Sequence, residues 1–236
     1  MPRHAASLLL VRHGQSEWNA VRRWQGTYDS PLTGLGRAQA RAVGSALAAE
    51  LANGDRIAGL WSSDLSRASE TALIIANYLG IDHVSLDTRL READAGPWQG
   101  FTPDEIEQRW PGYLASHHRP DGFESAESVV ARGEAVCLEL LQRAVSVKGA
   151  EATIVAVTHS GFIRVLRRHF GADDERIPNL GGAWFHLGDD DHVVVGALDP
   201  FHDGVPISGV DGPGEDPGDE ADSGDGRGGA ERRPAG

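Results

Sequence analysis

The chain has 236 residues, 40% of them hydrophobic, enough for one core of roughly 200 residues plus a tail. Its 35 acidic and 22 basic residues leave a formal net charge of -13, which gives no support to a nucleic-acid partner. The single cysteine, Cys137, excludes an intramolecular disulfide, and the N-terminal apolar run is too short for a secretory segment or a membrane span, so a cytoplasmic protein is expected.

Leu8-Leu9-Leu10-Val11 reads as a buried strand that delivers Arg12, His13 and Gly14 to its carboxyl end, where open α/β sheets bind ligands. There the three residues offer a cation, an imidazole and a backbone free to approach a ligand. Pro31-Leu32-Thr33-Gly34-Leu35-Gly36 reads as a turn, followed by an alanine-rich helix over 37–52 closed by Asn53-Gly54. A second buried strand is predicted over 57–61, a helix over 65–79 ending at Gly80, and a short strand over 84–86. This alternation is the grammar of a parallel sheet with right-handed crossovers. Residues 96–120, with prolines and aromatics among charges, read as a lid or insertion over a site. A long amphipathic helix is predicted over 125–147, a strand over 153–158, a helix from Gly161 toward Phe170, and a hairpin over 183–187 and 192–198 turning on Gly188-Asp189-Asp190-Asp191. From about Phe201 onward Gly, Pro, Asp and Glu dominate, so residues 1–200 read as one domain and 201–236 as an acidic, disordered tail.

Four motifs carry the chemistry: Arg12-His13-Gly14; the run from Ser62-Ser63-Asp64 through Arg67 to Thr71; Leu90-Arg91-Glu92; and Thr158-His159-Ser160-Gly161. In this order, over about residues 8–198, they resemble the histidine phosphatase superfamily, also called the phosphoglycerate mutase-like family. The resemblance implies an α/β three-layer sandwich, its mostly parallel central sheet covered by helices on both faces. It also implies a phosphohistidine mechanism without metal or cofactor and a small phosphorylated metabolite as partner, with room for a homodimer.

His13 is the candidate nucleophile, because a neutral imidazole nitrogen can attack phosphorus and split one hydrolysis into two steps. Its arginine neighbours disfavour the imidazolium and keep the lone pair available. Arg12 and Arg67 are candidate phosphate clamps, since the guanidinium fork matches two phosphoryl oxygens. Arg67 is expected near a helix start behind a Ser63 or Asp64 cap, the alternative being a surface pair with Glu70. His159 resembles the family's second pocket histidine, and Glu92 its proton donor, with Asp94 a nearby rival. Asn19, Gln25 and Gly26 are expected to complete the pocket, with a contact from Ser160 on the same resemblance; Trp18 and Trp24 read as packing residues. His117 and His118 read as solvated loop residues, and no Cys/His cluster has zinc-ligand spacing.

Within the family, Arg23-Trp24-Gln25-Gly26 and Ala93-Asp94-Ala95-Gly96-Pro97-Trp98-Gln99-Gly100 resemble the phosphatase branch, although Ala93 and Ala95 replace its larger apolar residues. Trp98-Gln99-Gly100 and the layout are also similar to the glucosyl-3-phosphoglycerate phosphatases, so a phosphorylated sugar or glycerate is the expected substrate. A phosphoglycerate mutase is the alternative enzyme, and a non-catalytic phospho-ligand binder the alternative of another class.

Overall fold

The computed structural model describes residues 6–51, 56–147, 152–188 and 192–199. Strands β1 (Ala6–Arg12), β2 (Arg56–Ser62), β3 (Val84–Leu86), β4 (Ala152–Thr158), β5 (Gly182–Leu187) and β6 (Val193–Asp199) form one sheet in the order β3-β2-β4-β1-β5-β6. Strands β3, β2, β4 and β1 run parallel, β5 runs antiparallel to β1, and β6 runs antiparallel to β5. Six α-helices accompany them among the described residues: α1 (Glu17–Ala20), α2 (Gly34–Leu51), α3 (Ser66–Leu79), α4 (Pro103–Arg109), α5 (Ala126–Val145) and α6 (Ser160–His169).

The unbroken apolar run of β1 follows from burial on both faces of the sheet, where side chains alternate with a period of two. Leu8 and Leu10 join Val136, Leu140 and Leu141 of α5 and Phe162, Ile163 and Leu166 of α6 in one core. Leu9 and Val11 face the opposite way, against Val43 and Leu47 of α2 and Ala68, Ala72 and Ile75 of α3. The sheet is therefore the middle of three layers, as the resemblance implied. Cys137 belongs to the first core, and burial pushes its thiol up to about 12, which makes it a packing residue rather than a nucleophile.

The parallel register decides where the chemistry goes. Arg12 lies opposite Thr158 and Ser62 opposite Val157, so β1, β4 and β2 all end on the same edge. The next residues along each chain are His13, His159 and Ser63, which brings three of the four motifs together by topology alone.

Several local expectations are corrected. Helix α2 begins at Gly34 instead of 37: Thr33 caps it, its Oγ1 accepting the Gly36 N–H at 3.0 Å and its carbonyl accepting the Arg37 N–H at 3.1 Å, so residues 34–36 are helical and no separate turn. Neither Ser63 nor Asp64 caps α3. Leu65 is the N-cap without a side-chain bond, because Asp64 is engaged by Arg91 at 2.6 Å and Ser63 Oγ faces His159. Helices α1 and α4 are additional. The α4 signal is present in Thr102-Pro103-Asp104-Glu105, a capping box with proline at the first helical position. The turn residues 189–191, the Asn53-Gly54 stop and the tail from 201 lie outside the described residues.

The irregular segment has a small core of its own: Trp24, Ala95, Trp98 and Ile106 pack with Phe101, Trp110, Tyr113, Leu114 and Phe123. Trp24 is thus a packing residue, as read from sequence, while half-buried Trp18 stacks on Tyr28 at 4.4 Å.

Candidate active site

His13 is 3% exposed. Its backbone is pinned on both sides, its N–H donating to the Thr158 carbonyl at 3.0 Å and its carbonyl accepting from Asn179 Nδ2 at 3.0 Å. The ring tautomer is fixed as well. Nδ1 lies 2.6 Å from the Gly14 carbonyl oxygen, which can only accept, so Nδ1 carries the proton and Nε2 keeps the lone pair. Arg67 Nε donates to that lone pair at 3.2 Å. Burial first, then the charges of Arg67 and Arg12, hold the imidazole well below its ordinary pKa of 6.5, outweighing the Gly14 bond that acts in the opposite sense. Gly14 itself does not line the cavity: a β-carbon there would meet the Gly36 carbonyl oxygen at 2.5 Å, so its close approach serves chain packing and not a ligand.

Arg67 is 1% exposed and is no surface residue; Glu70 pairs with Arg37 instead, at 2.6 Å. From the first turn of α3 the Arg67 guanidinium reaches the carbonyls of Tyr28 at 2.8 Å and Gly26 at 2.7 Å, which hold its plane against His13. Gly26, at φ +53°, is packed so closely on Ala95 that a β-carbon would sit 2.5 Å from the Ala95 nitrogen. Arg12, 2% exposed, donates to the Ile177 carbonyl at 2.8 Å. His159 is fully buried, with its ring centroid 5.2 Å from that of His13 and its Nε2 3.0 Å from Ser63 Oγ. Its Nδ1 is buried without a hydrogen-bond partner among the described residues. Burial, followed by the Arg67 charge, keeps this imidazole neutral too.

Glu92 approaches from the loop after β3. Its Oε2 accepts the Gly161 N–H at the start of α6 at 3.0 Å, and its Oε1 accepts the Ala93 N–H at 2.9 Å. A β-carbon on Gly161 would come 2.8 Å from Oε1, so glycine there is what lets the carboxylate reach the helix end. Asp94, its rival in sequence, is spent on a turn, accepting the Gly96 N–H at 2.8 Å, and does not line the cavity.

Arg12, His13, Arg67 and Glu92 line one cavity of about 690 Å³, together with Asn19, Gln25, Gly26 and Ser160. Asn19 Oδ1 is tied to the Ser16 N–H at 3.1 Å, and Gln25 Oε1 accepts from Ser16 Oγ at 2.8 Å, which orients both amides. His159 stands behind this wall and not on it. The lid contributes His117 and a continuous run from Arg119 to Ala126, which extends past the end of the 96–120 segment expected, while His118 stacks edge-on against Tyr113 at 4.5 Å. Sequence reading missed Ser63 as the partner of His159, and Ile177 and Asn179 as supports of Arg12 and His13. Ser63 was inside a recognised motif; the other two sit in a polar loop with no local signal. Among the described residues no group of three or more His, Cys, Asp or Glu side chains could hold a metal ion, and no helix is long and apolar enough to cross a membrane.

A profile of the histidine phosphatase superfamily (branch 1) matches residues 8–183. The chain is 36% identical over 192 residues to a glucosyl-3-phosphoglycerate phosphatase of Mycolicibacterium vanbaalenii, covering 76% of this chain and 83% of that one. It is 38% identical over 200 residues to phosphoglycerate mutase-like protein 4 of Arabidopsis thaliana, covering 80% and 83%. Among solved structures, a mycobacterial glucosyl-3-phosphoglycerate phosphatase in complex with VO3 matches with a TM-score of 0.70 at 30% identity, over 82% of this chain and 97% of that chain. A Bacillus anthracis phosphoglycerate mutase shares the fold, with a TM-score of 0.69 at 21% identity over 81% and 92%. The chain belongs to branch 1 of the histidine phosphatase superfamily and is a phosphoric monoester hydrolase.

Proposed function

We propose that the protein hydrolyses small phosphomonoesters of the phosphosugar or phosphoglycerate type, without a metal, through a phosphohistidine on His13. The observation that carries this reading is the fixed tautomer: with Nδ1–H on the Gly14 carbonyl, Nε2 holds its lone pair on the wall of a cavity that Glu92 also lines. An arriving phosphoryl dianion competes for the Arg67 guanidinium and uncovers that lone pair. Nε2 attacks phosphorus in line, the P–O bond to the leaving group breaks, and Glu92 protonates the departing alkoxide. Water then attacks the phosphohistidine, its proton passing to Glu92, and inorganic phosphate leaves with His13 restored. Arg12 and Arg67 match the equatorial oxygens, and His159, behind the wall, packs its ring against that of His13.

The leaving group is assigned by analogy with the glucosyl-3-phosphoglycerate phosphatases. A cavity of about 690 Å³ accommodates far more than a phosphoryl group, which fits a sugar or glycerate acceptor portion. The single buried cysteine suits the cytoplasm. A chelator-treated assay over p-nitrophenyl phosphate, phosphoglycerates and a glucosylated phosphoglycerate tests the reading. Phosphate release is expected, with the highest kcat/KM on a sugar or glycerate ester. Isomerisation of phosphoglycerate with a bisphosphorylated primer, and no phosphate release, would assign a mutase instead.

A further inference from the structure

Glu92 is held at its carboxylate by two backbone N–H groups, but the loop that carries it is held by something else. The four successive carbonyls of residues 89–92 are all taken by side chains. Thr158 Oγ1 donates to Leu90 at 2.7 Å, and Arg132 of α5 donates to the other three: to Arg89 at 2.8 Å, Arg91 at 2.6 Å and Glu92 at 3.2 Å. The remaining edge of the same guanidinium forks onto Glu124, at 2.9 and 3.0 Å. Both partners are less than one-fifth exposed, and the Arg132 guanidinium lies 5.3 Å from the ring centre of Phe162, next to the Gly161 that receives Glu92.

Glu124 links this fork to the lid. It lies in the lid run that lines the cavity, and it exchanges two bonds with Asp94, two residues beyond Glu92: its N–H donates to the Asp94 carbonyl at 2.8 Å and its Oε2 accepts the Asp94 N–H at 3.2 Å. Burial opposes the Glu124 charge, but the bonds from Arg132 and Ser128 outweigh it, so the carboxylate persists below the usual range. Here one planar cation is shared between the acid's own main chain and the lid segment that lines the cavity, a geometry lysine cannot copy.

We propose that Arg132, paired with Glu124, is a positioning residue for the proton donor Glu92 and couples its placement to the seating of the leaving group under the lid. The inference rests on the assignment of Glu92 as general acid. It matters because proton delivery requires a donor within hydrogen-bond reach of the leaving oxygen, and a shift of the loop by a fraction of an ångström removes it.

The test is the dependence of kcat/KM on leaving-group basicity, from p-nitrophenyl phosphate to alkyl phosphates, for the full-length wild type, Glu92→Gln, Arg132→Gln and Arg132→Lys. A poor leaving group needs the acid and an activated aryl phosphate does not. Arg132→Gln is expected to steepen the dependence in the same sense as Glu92→Gln, losing about tenfold more on alkyl than on aryl esters. Arg132→Lys is expected to recover little of it. Equal losses on all esters for Arg132→Gln, beside a steepened Glu92→Gln, would make Arg132 a purely structural anchor and overturn the inference. An unchanged slope in Glu92→Gln would overturn the acid assignment and this inference with it. Should Arg132→Gln fail to fold, Glu124→Gln, which keeps an acceptor but loses the charge, must show the same steepening in smaller measure; a flat response overturns the proposal.

Discussion

The carboxyl edge of the sheet and the lid that covers it are held by different forces. At the edge, His13, Arg12, Arg67 and Glu92 each have a polar atom tied to a backbone group within 2.6–3.0 Å, and His13 and both arginines are almost entirely buried. In the lid, aromatic faces predominate: Trp98 packs at 5.1 Å from Trp24 and 5.9 Å from Phe123, and the Arg119 guanidinium lies 5.2 Å from the Trp98 ring centre. Hydrogen bonds to backbone groups are directional and fix the orientation of the side chains that make them, so the edge is suited to preorganised charge chemistry common to every substrate. Ring contacts are less directional and can adjust, which suits a surface that selects among leaving groups.

If that division is right, substitutions at the edge lower kcat for all esters, and substitutions in the lid redistribute KM among them. The largest effect is expected from His13→Ala: turnover falls by about four orders of magnitude or more on every ester, with the unfolding midpoint little changed. Steady-state kinetics beside thermal denaturation checks both parts. Next is Arg67→Lys, expected to cost roughly 100-fold or more in kcat, because a point charge cannot hold the Gly26 and Tyr28 carbonyls and face His13 at once. Retained kcat would mean that charge alone suffices. Trp98→Ala acts differently, removing a fully buried ring at a cost of about 3–5 kcal/mol in stability. Its kinetic signature is a raised KM for sugar-sized esters with a smaller change for p-nitrophenyl phosphate.

The mildest prediction concerns pH. Both histidines are held neutral by burial and by Arg67, so their folded pKa values lie below 6.5 while an unfolded chain titrates there. Their contribution to stability is complete above pH 6.5 and is lost as pH falls from there toward the folded values, by up to about 1.4 kcal/mol per pH unit for each ring. Urea unfolding at about pH 7.5 and about pH 5.5 should therefore show lower stability in acid, and His159→Gln should reduce the difference. Catalysis should be less sensitive over the same interval, since the His13 lone pair survives below the pH at which a free imidazole is protonated.

The two regions also differed in how far the sequence revealed them. At the edge, strand periodicity and parallel crossovers are local signals, and β1, β4 and β2 ending together follows from register once the elements are placed. His13, Arg12 and Arg67 could thus be located from short motifs. The capping of α3 could not, because Asp64 and Ser63 are drawn to Arg91 and His159, partners 27 and 96 residues away. In the lid, the capping box from Thr102 to Glu105 is a local signal masked by the prolines and aromatics around it. The fork of Arg132 across residues 89–92 and Glu124 had no sequence signature, since a helix-surface arginine looks the same whether solvated or buried among carbonyls.

Covalent phosphorylation of His13 Nε2 is the step on which the mechanism depends, and the phosphohistidine can be trapped. The protein is mixed with a phosphate-radiolabelled ester, quenched in alkali within one turnover, and the labelled peptide identified. Stoichiometric, acid-labile, alkali-stable label is expected on the peptide containing His13 and is expected to be absent from His13→Ala. Turnover by the wild type with no label on His13, or label that persists in His13→Ala, would contradict it.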